Sequence, residues 1–549
     1  MPEPAPATAP ATPTGPSRRP SAALGRPLLT GLAVAGVLAT LVAAAALSRR
    51  PTLAALVLLL AVLVAVVVVP RERWLSLRFA TLYAWAVLLL PLTAIMGAAA
   101  ALPGFRSLFA FRVVLALVIL LGLVVYVSER RAPRLGPRTM VLLFAAWFAW
   151  LGVSMLWAQT PSAGVRYLAI LMAELIVVAC VAAAGDSRRR LRALTLTLAI
   201  GYALAVLVGT AEAVLGRHLK SSVAAHGGKA HISTGFFYNP NDFATFIAIC
   251  WPFLLLALVF GRRWWLRLGT LGFMGLGLYS LLHTGSRSSL LAIGLTTFVA
   301  GVYVIAVRWV RHGGLVLVAM IAALAVVAAL ALNTSSNAVL QRFQVKSLTQ
   351  TGRSTQAAAT TTSAGTRLAL TRAGFEAVSA TGYLGVGPGN AEKEVGKQPG
   401  APATITSLHD WWLEVFVNGG LPAIVLYLLL YLGLLRASFR AATRSRDRFT
   451  QLLAAATGIS LIGYVLGSVG PSTVVSFAPM WILFGLALAV ARRVHFEVAM
   501  SEEIVGTPLG VAGAGGAGTG DADASVVGAS DVGAIDAAGP DGTSGRVVA

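Results

Sequence analysis

The sequence predicts an all-α fold, a polytopic transmembrane helix bundle of about 14 spans with one long extracytoplasmic loop carrying short helices. Three observations predict it. Of 549 residues, 57% are hydrophobic and 12% charged, whereas a soluble domain carries roughly a quarter charged residues. Apolar runs recur from Arg26 to Val494, each long enough, at about 18 residues or more, to cross a hydrocarbon core. The basic residues fall in short clusters between those runs.

The chain opens with residues 1–25, rich in Pro, Ala and Thr, and closes with residues 495–549, rich in Gly, Ala and Asp beyond position 505. Neither end has enough apolar periodicity to offset the entropy of ordering, so both are expected to be disordered tails. The first apolar run is long and lacks a cleavage signature, so no signal peptide is expected. Residues 26–333 hold spans one to eleven, at 27–47, 52–70, 78–100, 111–128, 139–157, 164–184, 193–215, 242–260, 265–283, 287–307 and 313–333. Residues 334–408 form the long loop. Residues 409–494 hold spans twelve to fourteen, at 419–438, 450–469 and 472–491.

Orientation follows from the arginines. With an inside N terminus (Arg18, Arg19, Arg26), the inner loops carry RERWLSLR (71–78), ERRAPR (129–134), SRRRLR (187–192), GRRWWLR (261–267), RWVR (308–311) and RASFRAATRSRDR (436–448). The alternate loops are poorer, with one Arg in 160–166 and none in 467–473. The pairs Arg49/Arg50 and Arg106/Arg112 break the register among the first four spans. Elsewhere it holds, placing both tails in the cytoplasm. The net charge of +22 therefore reflects the positive-inside pattern, and no nucleic-acid partner is expected. Cys180 and Cys250 both sit inside apolar runs, which supports neither a disulfide framework nor a thiolate metal site.

Two outer segments are long, 216–241 and 334–408, with short helices expected at 338–344 and 366–380. Four polar clusters share this side: FFYNPND (236–242), HTGSRSS (283–289), Arg367 with GYLGVGPGN (382–390), and ITSLHDWWLEVFVNGG (405–420). Each also has a plain structural reading. Asn239-Pro240 is a turn-and-cap pair, and Asp242 suits a helix N-cap. Arg287 can snorkel to headgroups, but an always-charged guanidinium among Ser286, Ser288 and Ser289 also suits an anion. GVGPG (385–389) follows no strand and opens no βαβ unit, so it reads as a structural turn and not as a nucleotide loop. His409 alone is an interfacial histidine; His218, His226 and His231 lack metal-ligand spacing. Glu174 lies mid-span, where an ionisable group is a functional candidate. Asp521-Ala-Asp523 copies a DxD metal motif inside a glycine-rich tail, a chance match.

Taken in order, Asn239-Pro240-Asn241, Ser286-Arg287, Arg367, Gly385-Val386-Gly387-Pro388-Gly389, and His409-Asp410 with Leu413, Glu414, Gly419 and Gly420 resemble the O-antigen ligase and polymerase superfamily. The resemblance covers about 200 residues, from 230 to 440. It departs from the family's common twelve-span form, with the extra spans expected among the first four. The resemblance implies an integral membrane glycan transferase of the bacterial cytoplasmic membrane, a ligase or polymerase of cell-surface polysaccharide. Its active face would be extracytoplasmic. Its partners would be a polyprenyl-pyrophosphate-linked glycan donor, a glycan or lipid acceptor, and membrane lipids, with no cofactor and no metal. It implies His409 as general base, with Arg287 and Arg367 on the leaving pyrophosphate. Asn239, Asn241, Gly387 and Trp412 would contact substrate, although Trp411 and Trp412 also suit membrane anchoring. A flippase for lipid-linked oligosaccharide or another multi-span transporter is the alternative. Against it, the polar residues cluster at one face instead of the bundle midplane, and no internal repeat is evident.

Overall fold

The structure is a computed structural model. It describes residues 73–102, 105–129, 137–226, 230–308, 321, 363–401, 407–471 and 474–506. Thirteen α-helices lie among them: α1 (Arg73–Met96), α2 (Ala110–Glu129), α3 (Arg138–Val153), α4 (Pro161–Ala183), α5 (Arg188–Leu215), α6 (Pro240–Phe260), α7 (Trp264–Thr284), α8 (Arg287–Arg308), α9 (Ser363–Ser379), α10 (Ala391–Val395), α11 (Trp411–Arg444), α12 (Arg448–Gly467) and α13 (Ala478–Gly506). A two-stranded antiparallel ribbon, β1 (Ala101–Leu102) and β2 (Phe105–Phe109), joins α1 to α2. The chain divides into units Met1–Met500 and Ser501–Ala549, and the architecture below is that of the first.

Nine of these helical segments are long and apolar enough to cross a membrane. The expected span at 265–283 is present as α7, but its glycines and polar residues leave it outside those nine. The expected span at 111–128 is α2, whose apolar stretch Ala110–Val125 is shorter than the others. The spans expected at 27–47, 52–70 and 313–333, the helix at 338–344 and most of both tails lie outside the described residues. The last span begins at Ala478, later than the expected 472, because a 3-10 turn (Val474–Ser476) precedes it.

Helix boundaries follow local chemistry. Ser187 accepts from the Arg190 N–H to cap α5, and Asp447 accepts from the Thr450 N–H to cap α12. Each satisfies a backbone donor that the first turn leaves free. Gly216 and Gly285, at φ 65° and 71°, end α5 and α7 in the left-handed conformation that glycine adopts at low cost. The expected cap at Asp242 is corrected: Asn239 caps α6 by accepting from the Asn241 N–H at 2.9 Å, Pro240 occupies the first helical position, and Asp242 lies in the first turn. Asn239 takes the role because proline needs no N–H partner there, which fixes the helix start one residue after the asparagine.

The helices alternate in direction and leave two ends. At one end, Arg188 pairs with Asp447 at 2.7 Å, Arg492 pairs with Asp186, and Glu497 accepts from the Ser445 hydroxyl at 2.8 Å. The other end holds the starts of α4, α6, α8, α11 and α13. Between them, a core of aromatic side chains sits where α3, α11 and α13 meet: Trp147, Trp411, Tyr427 and Trp481 are buried with ring centroids 5.5–6.4 Å apart. Edge-on and tilted contacts at such spacings add to the energy of burial.

Candidate functional site

The site is built on the start of α11. Asp410 accepts from the backbone N–H groups of Trp412 (2.9 Å) and Leu413 (3.3 Å), so the acid after His409 caps the helix. His409 is thereby pushed outside the helix, where its N–H donates to the Ser407 hydroxyl at 3.0 Å and its φ is 51°. A left-handed φ on a non-glycine residue is uncommon and costs energy, and such residues concentrate at functional sites.

Nine residues on, α11 bends. Gly420 has φ 68° and ψ −162°, a region open in practice only to glycine. The bend frees carbonyls that a straight helix would satisfy, and all of them find donors. Leu421 N–H turns away to the Tyr383 carbonyl (2.8 Å), and the released Val417 carbonyl accepts from Val386 N–H (2.9 Å). The Asn418 carbonyl, whose helical partner would be Pro422, accepts from Gly387 N–H (2.9 Å). The Gly419 carbonyl accepts from the indole Nε1 of Trp150 on α3 (2.7 Å), and the Trp157 indole donates to the Gly385 carbonyl (2.9 Å). The glycine-rich segment 385–389 is therefore a clasp around a helix bend. Gly385, Gly387 and Gly389 adopt φ of 84°, 89° and 69° within it. Gly387 is buried, and a Cβ there would strike Ala158.

The clasp is tied on to the α3–α4 corner. The Asn390 carboxamide oxygen accepts from Thr160 N–H at 2.9 Å, Lys393 donates to the Thr160 hydroxyl at 2.9 Å, and Lys397 donates to the Gln159 carboxamide at 2.6 Å.

Arg367 reaches the site through a helical stripe. Leu370, Ala373, Ala377 and Val378 bury one face of α9 against Leu413 and Val417 of α11. The spacing is that of an amphipathic helix. Arg367 continues the stripe one turn earlier and lies half-buried, close enough for its charge to act on both Asp410 and His409. Burial, then the Arg367 charge, lowers the His409 pKa below the ordinary 6.5, with the Gly470 backbone opposing; the imidazole Nδ1 is buried. Burial raises the Asp410 pKa, while its two N–H donors and Arg367 oppose the rise. Arg367 is itself lowered by burial, raised by Asp410 and lowered by Arg287. Arg287, Arg367, His409 and Asp410 thus form one electrostatic group.

Arg287 is the first residue of α8 and is exposed. Beneath it a hydroxyl cluster anchors the turn: Ser286 donates to the Ser289 hydroxyl (3.1 Å), and Thr245 of α6 lies 3.3 Å from Ser289 and donates to the Gly467 carbonyl (3.0 Å). Positive side chains and the free N–H groups of a helix start together favour an anion.

Of the other sequence candidates, Asn239 uses its carboxamide oxygen to cap α6, and Asn241 supplies the N–H it accepts. Trp412 is half-buried, edge-on to Tyr427 (5.4 Å) and Tyr431 (5.3 Å), while Trp411 is fully buried. Glu174 is buried, and its Oε2 has no hydrogen-bond partner among the described residues. Tyr167 of α4 hydrogen-bonds Glu414 beside this group. Residues that sequence reasoning missed are Trp150, Trp157, Asn390 and Glu212. Glu212 is a buried acid near the end of α5 that accepts from Thr234 N–H and Gly235 N–H, both at 2.7 Å, and lies 3.5 Å from the His218 ring. An ionisable residue in an apolar run is the signal that singled out Glu174, and it applies equally to Glu212. Among the described residues no grouping of three His, Cys, Asp or Glu could hold a metal ion.

Residues 272–428 match the O-antigen ligase family model. The chain is also 25% identical over 412 residues to the teichuronic acid biosynthesis protein TuaE of Bacillus subtilis (strain 168), an alignment covering 73% of this chain and 82% of that protein. Over residues 272–428 the chain is thus similar to the O-antigen ligases. The O-antigen ligase match holds Arg287, Arg367, Gly387, His409 and Trp412, whereas Asn239 and Asn241 precede it.

Proposed function

We propose that the protein moves a glycan from a polyprenyl-pyrophosphate carrier on to an acceptor hydroxyl at the extracytoplasmic face of the cytoplasmic membrane, during assembly of a cell-surface polysaccharide. The observation that carries this reading is the convergence of Arg287, Arg367 and His409 at one end of a membrane helix bundle. The family match and the resemblance to a teichuronic acid biosynthesis protein support it.

In this reading the acceptor oxygen attacks the anomeric carbon, its proton passes to the His409 imidazole, and the bond from the anomeric carbon to the pyrophosphate oxygen breaks. The electron pair leaves on the pyrophosphate, whose growing charge Arg287, Arg367 and the α8 N-terminus stabilise. A base is useful only when neutral, and burial with a neighbouring guanidinium favours the neutral imidazole. The two guanidiniums supply the charge that transferases with a divalent cation draw from the metal, so transfer should survive EDTA. The apolar surfaces of the bundle suit the polyprenyl chain.

The test is glycan transfer from purified polyprenyl-pyrophosphate donor by the full-length protein in lipid. His409→Ala should lose turnover by roughly 100- to 10,000-fold while still binding donor. Arg287→Lys should be impaired nearly as badly as Arg287→Ala, because lysine keeps the charge but loses the planar, two-pronged grip on phosphate oxygens. Full turnover by His409→Ala with normal protein level removes the base assignment, and loss of donor binding instead moves His409 into the pyrophosphate site.

A further inference from the structure

We propose that Trp150, assisted by Trp157, is a positioning residue for His409: their indole N–H groups lock the bend in α11 and so fix where the histidine stands against Arg367. Neither tryptophan touches the candidate reacting groups. Trp150 sits at the end of α3 and donates to the Gly419 carbonyl (2.7 Å), one residue before the non-helical Gly420. Trp157 donates to the Gly385 carbonyl (2.9 Å), directly across the crossing from Gly420. The two rings lean on one another with centroids 6.0 Å apart.

The geometry makes the bend a lever. The segment from Trp411 to Gly419 is a short rigid helix with the bend at one end and His409 just before the other, where Trp411 is buried and its N–H donates to the Ser468 carbonyl at 3.2 Å. A change of angle at Gly420 therefore swings His409 across the site. The Val417 and Asn418 carbonyls are held by the clasp backbone, which no substitution of a side chain removes. The Gly419 carbonyl is held by a side chain, so among the three freed carbonyls it is the adjustable one. Indole is a donor with no acceptor role, on a large ring that packing holds rigidly, which suits it to fixing an angle.

One charge acts on His409 and reports its position. Arg367 of α9 acts on the ring directly, and Asp410 and Arg287 act on Arg367. Swinging His409 outward weakens both burial and the Arg367 effect, and each change raises the histidine pKa.

The experiment measures how fast His409 reacts with diethyl pyrocarbonate as pH is varied, read by peptide mass spectrometry on the full-length protein in lipid. This readout requires no transfer, so it stands apart from the proposed reaction; a parallel kinetic arm rests on that reaction. In wild type, the midpoint for His409 should lie below that of a free histidine peptide treated in the same way. In Trp150→Phe, which keeps a ring and loses the donor, the midpoint should rise toward the ordinary histidine value. Trp157→Phe should do the same to a lesser degree, and it carries the test if Trp150→Phe does not fold. In the kinetic arm, kcat should fall by on the order of 10- to 100-fold with donor KM unchanged, the penalty of a misplaced catalytic group. Unchanged His409 midpoints in the folded variants overturn the proposal. A donor KM that rises with kcat intact also overturns it, since the tryptophans would then shape the donor site and not the position of the base.

Discussion

The backbones of Gly385 and Gly420 cross in direct contact: a Cβ built on Gly385 would fall inside 3.0 Å of the Gly420 nitrogen, and one built on Gly420 would strike the Tyr383 carbonyl. Gly420 also holds φ 68° with ψ −162°. Steric contact and backbone strain therefore act on the same residue, and both penalise any side chain.

Gly420→Ala should accordingly destabilise the protein by several kcal/mol, on the order of 3, from strain and clash together. Gly272→Ala is the control. That glycine lies within α7, has nothing within 4 Å of a Cβ position, and should gain up to about 1 kcal/mol of helix propensity. Thermal unfolding of the purified proteins compares them. Equal midpoints for Gly420→Ala and wild type would remove the clasp from the account of the site.

Acidity should act on the proposed base in a definite direction. Burial and Arg367 hold the His409 pKa below 6.5, so the imidazole is neutral through neutral pH, and kcat/KM should fall only as pH drops through the lowered value. Arg367→Gln removes the second cause and leaves the first, so the acid limb should move up without reaching the ordinary histidine value. The linkage has the same sign for stability. Between the lowered value and 6.5 the unfolded chain binds a proton that the folded one does not, so acidification through that window costs stability. An acid limb that Arg367→Gln leaves in place would sever Arg367 from the base.

Much of this site is legible in the sequence, for stated reasons. Asp410 as a cap, the turn at Gly385–Gly389 and the break at Gly419-Gly420 are local, because each depends on conformational preferences within a few residues. Arg367 is singled out by the resemblance, while its place on the buried stripe of α9 comes from the structure. Trp150 and Trp157 are not legible. Their partners, Gly419 and Gly385, are backbone carbonyls 269 and 228 residues away, and a carbonyl has no residue type to read. For α6 the sequence offers both Asn239 and Asp242 as caps, because local chemistry suits either, and Asn239 performs the role.

Glu212 supports a different part of the same end of the bundle. Its carboxylate is buried and accepts from the backbone N–H groups of Thr234 and Gly235, with the Thr234 hydroxyl as a further donor at 3.0 Å. Glu212→Ala leaves the two backbone N–H groups buried and without this acceptor, at about 1–3 kcal/mol each, while the Thr234 hydroxyl keeps Ser222 as a partner. Glu212→Gln keeps an acceptor oxygen and the shape, so it should lose much less. Proteolysis of the 216–239 segment measures the difference, with Glu212→Ala cut fastest. Equal cutting of both variants and wild type would show that the carboxylate does not hold the segment.

The arginines distribute unequally between the two ends of the bundle, and this sets the last expectation. Arg188, Arg189, Arg190, Arg192, Arg262, Arg263, Arg440, Arg444 and Arg446 all belong to helix ends or turns opposite His409. By the positive-inside rule that end is expected to face the cytoplasm and His409 the opposite side. Ser445 is a poor reporter because it is buried against Glu497, whereas Thr443 is exposed at the same end and Ser379 is exposed at the end of α9. Cys180 is buried and Cys250 lies within α6, so both native thiols are shielded. On intact cells, an impermeant thiol reagent should label Ser379→Cys and leave Thr443→Cys until the membrane is opened. Labelling of position 443 alone would invert the bundle, bring His409 to the cytoplasmic face and require a donor that has not crossed the membrane.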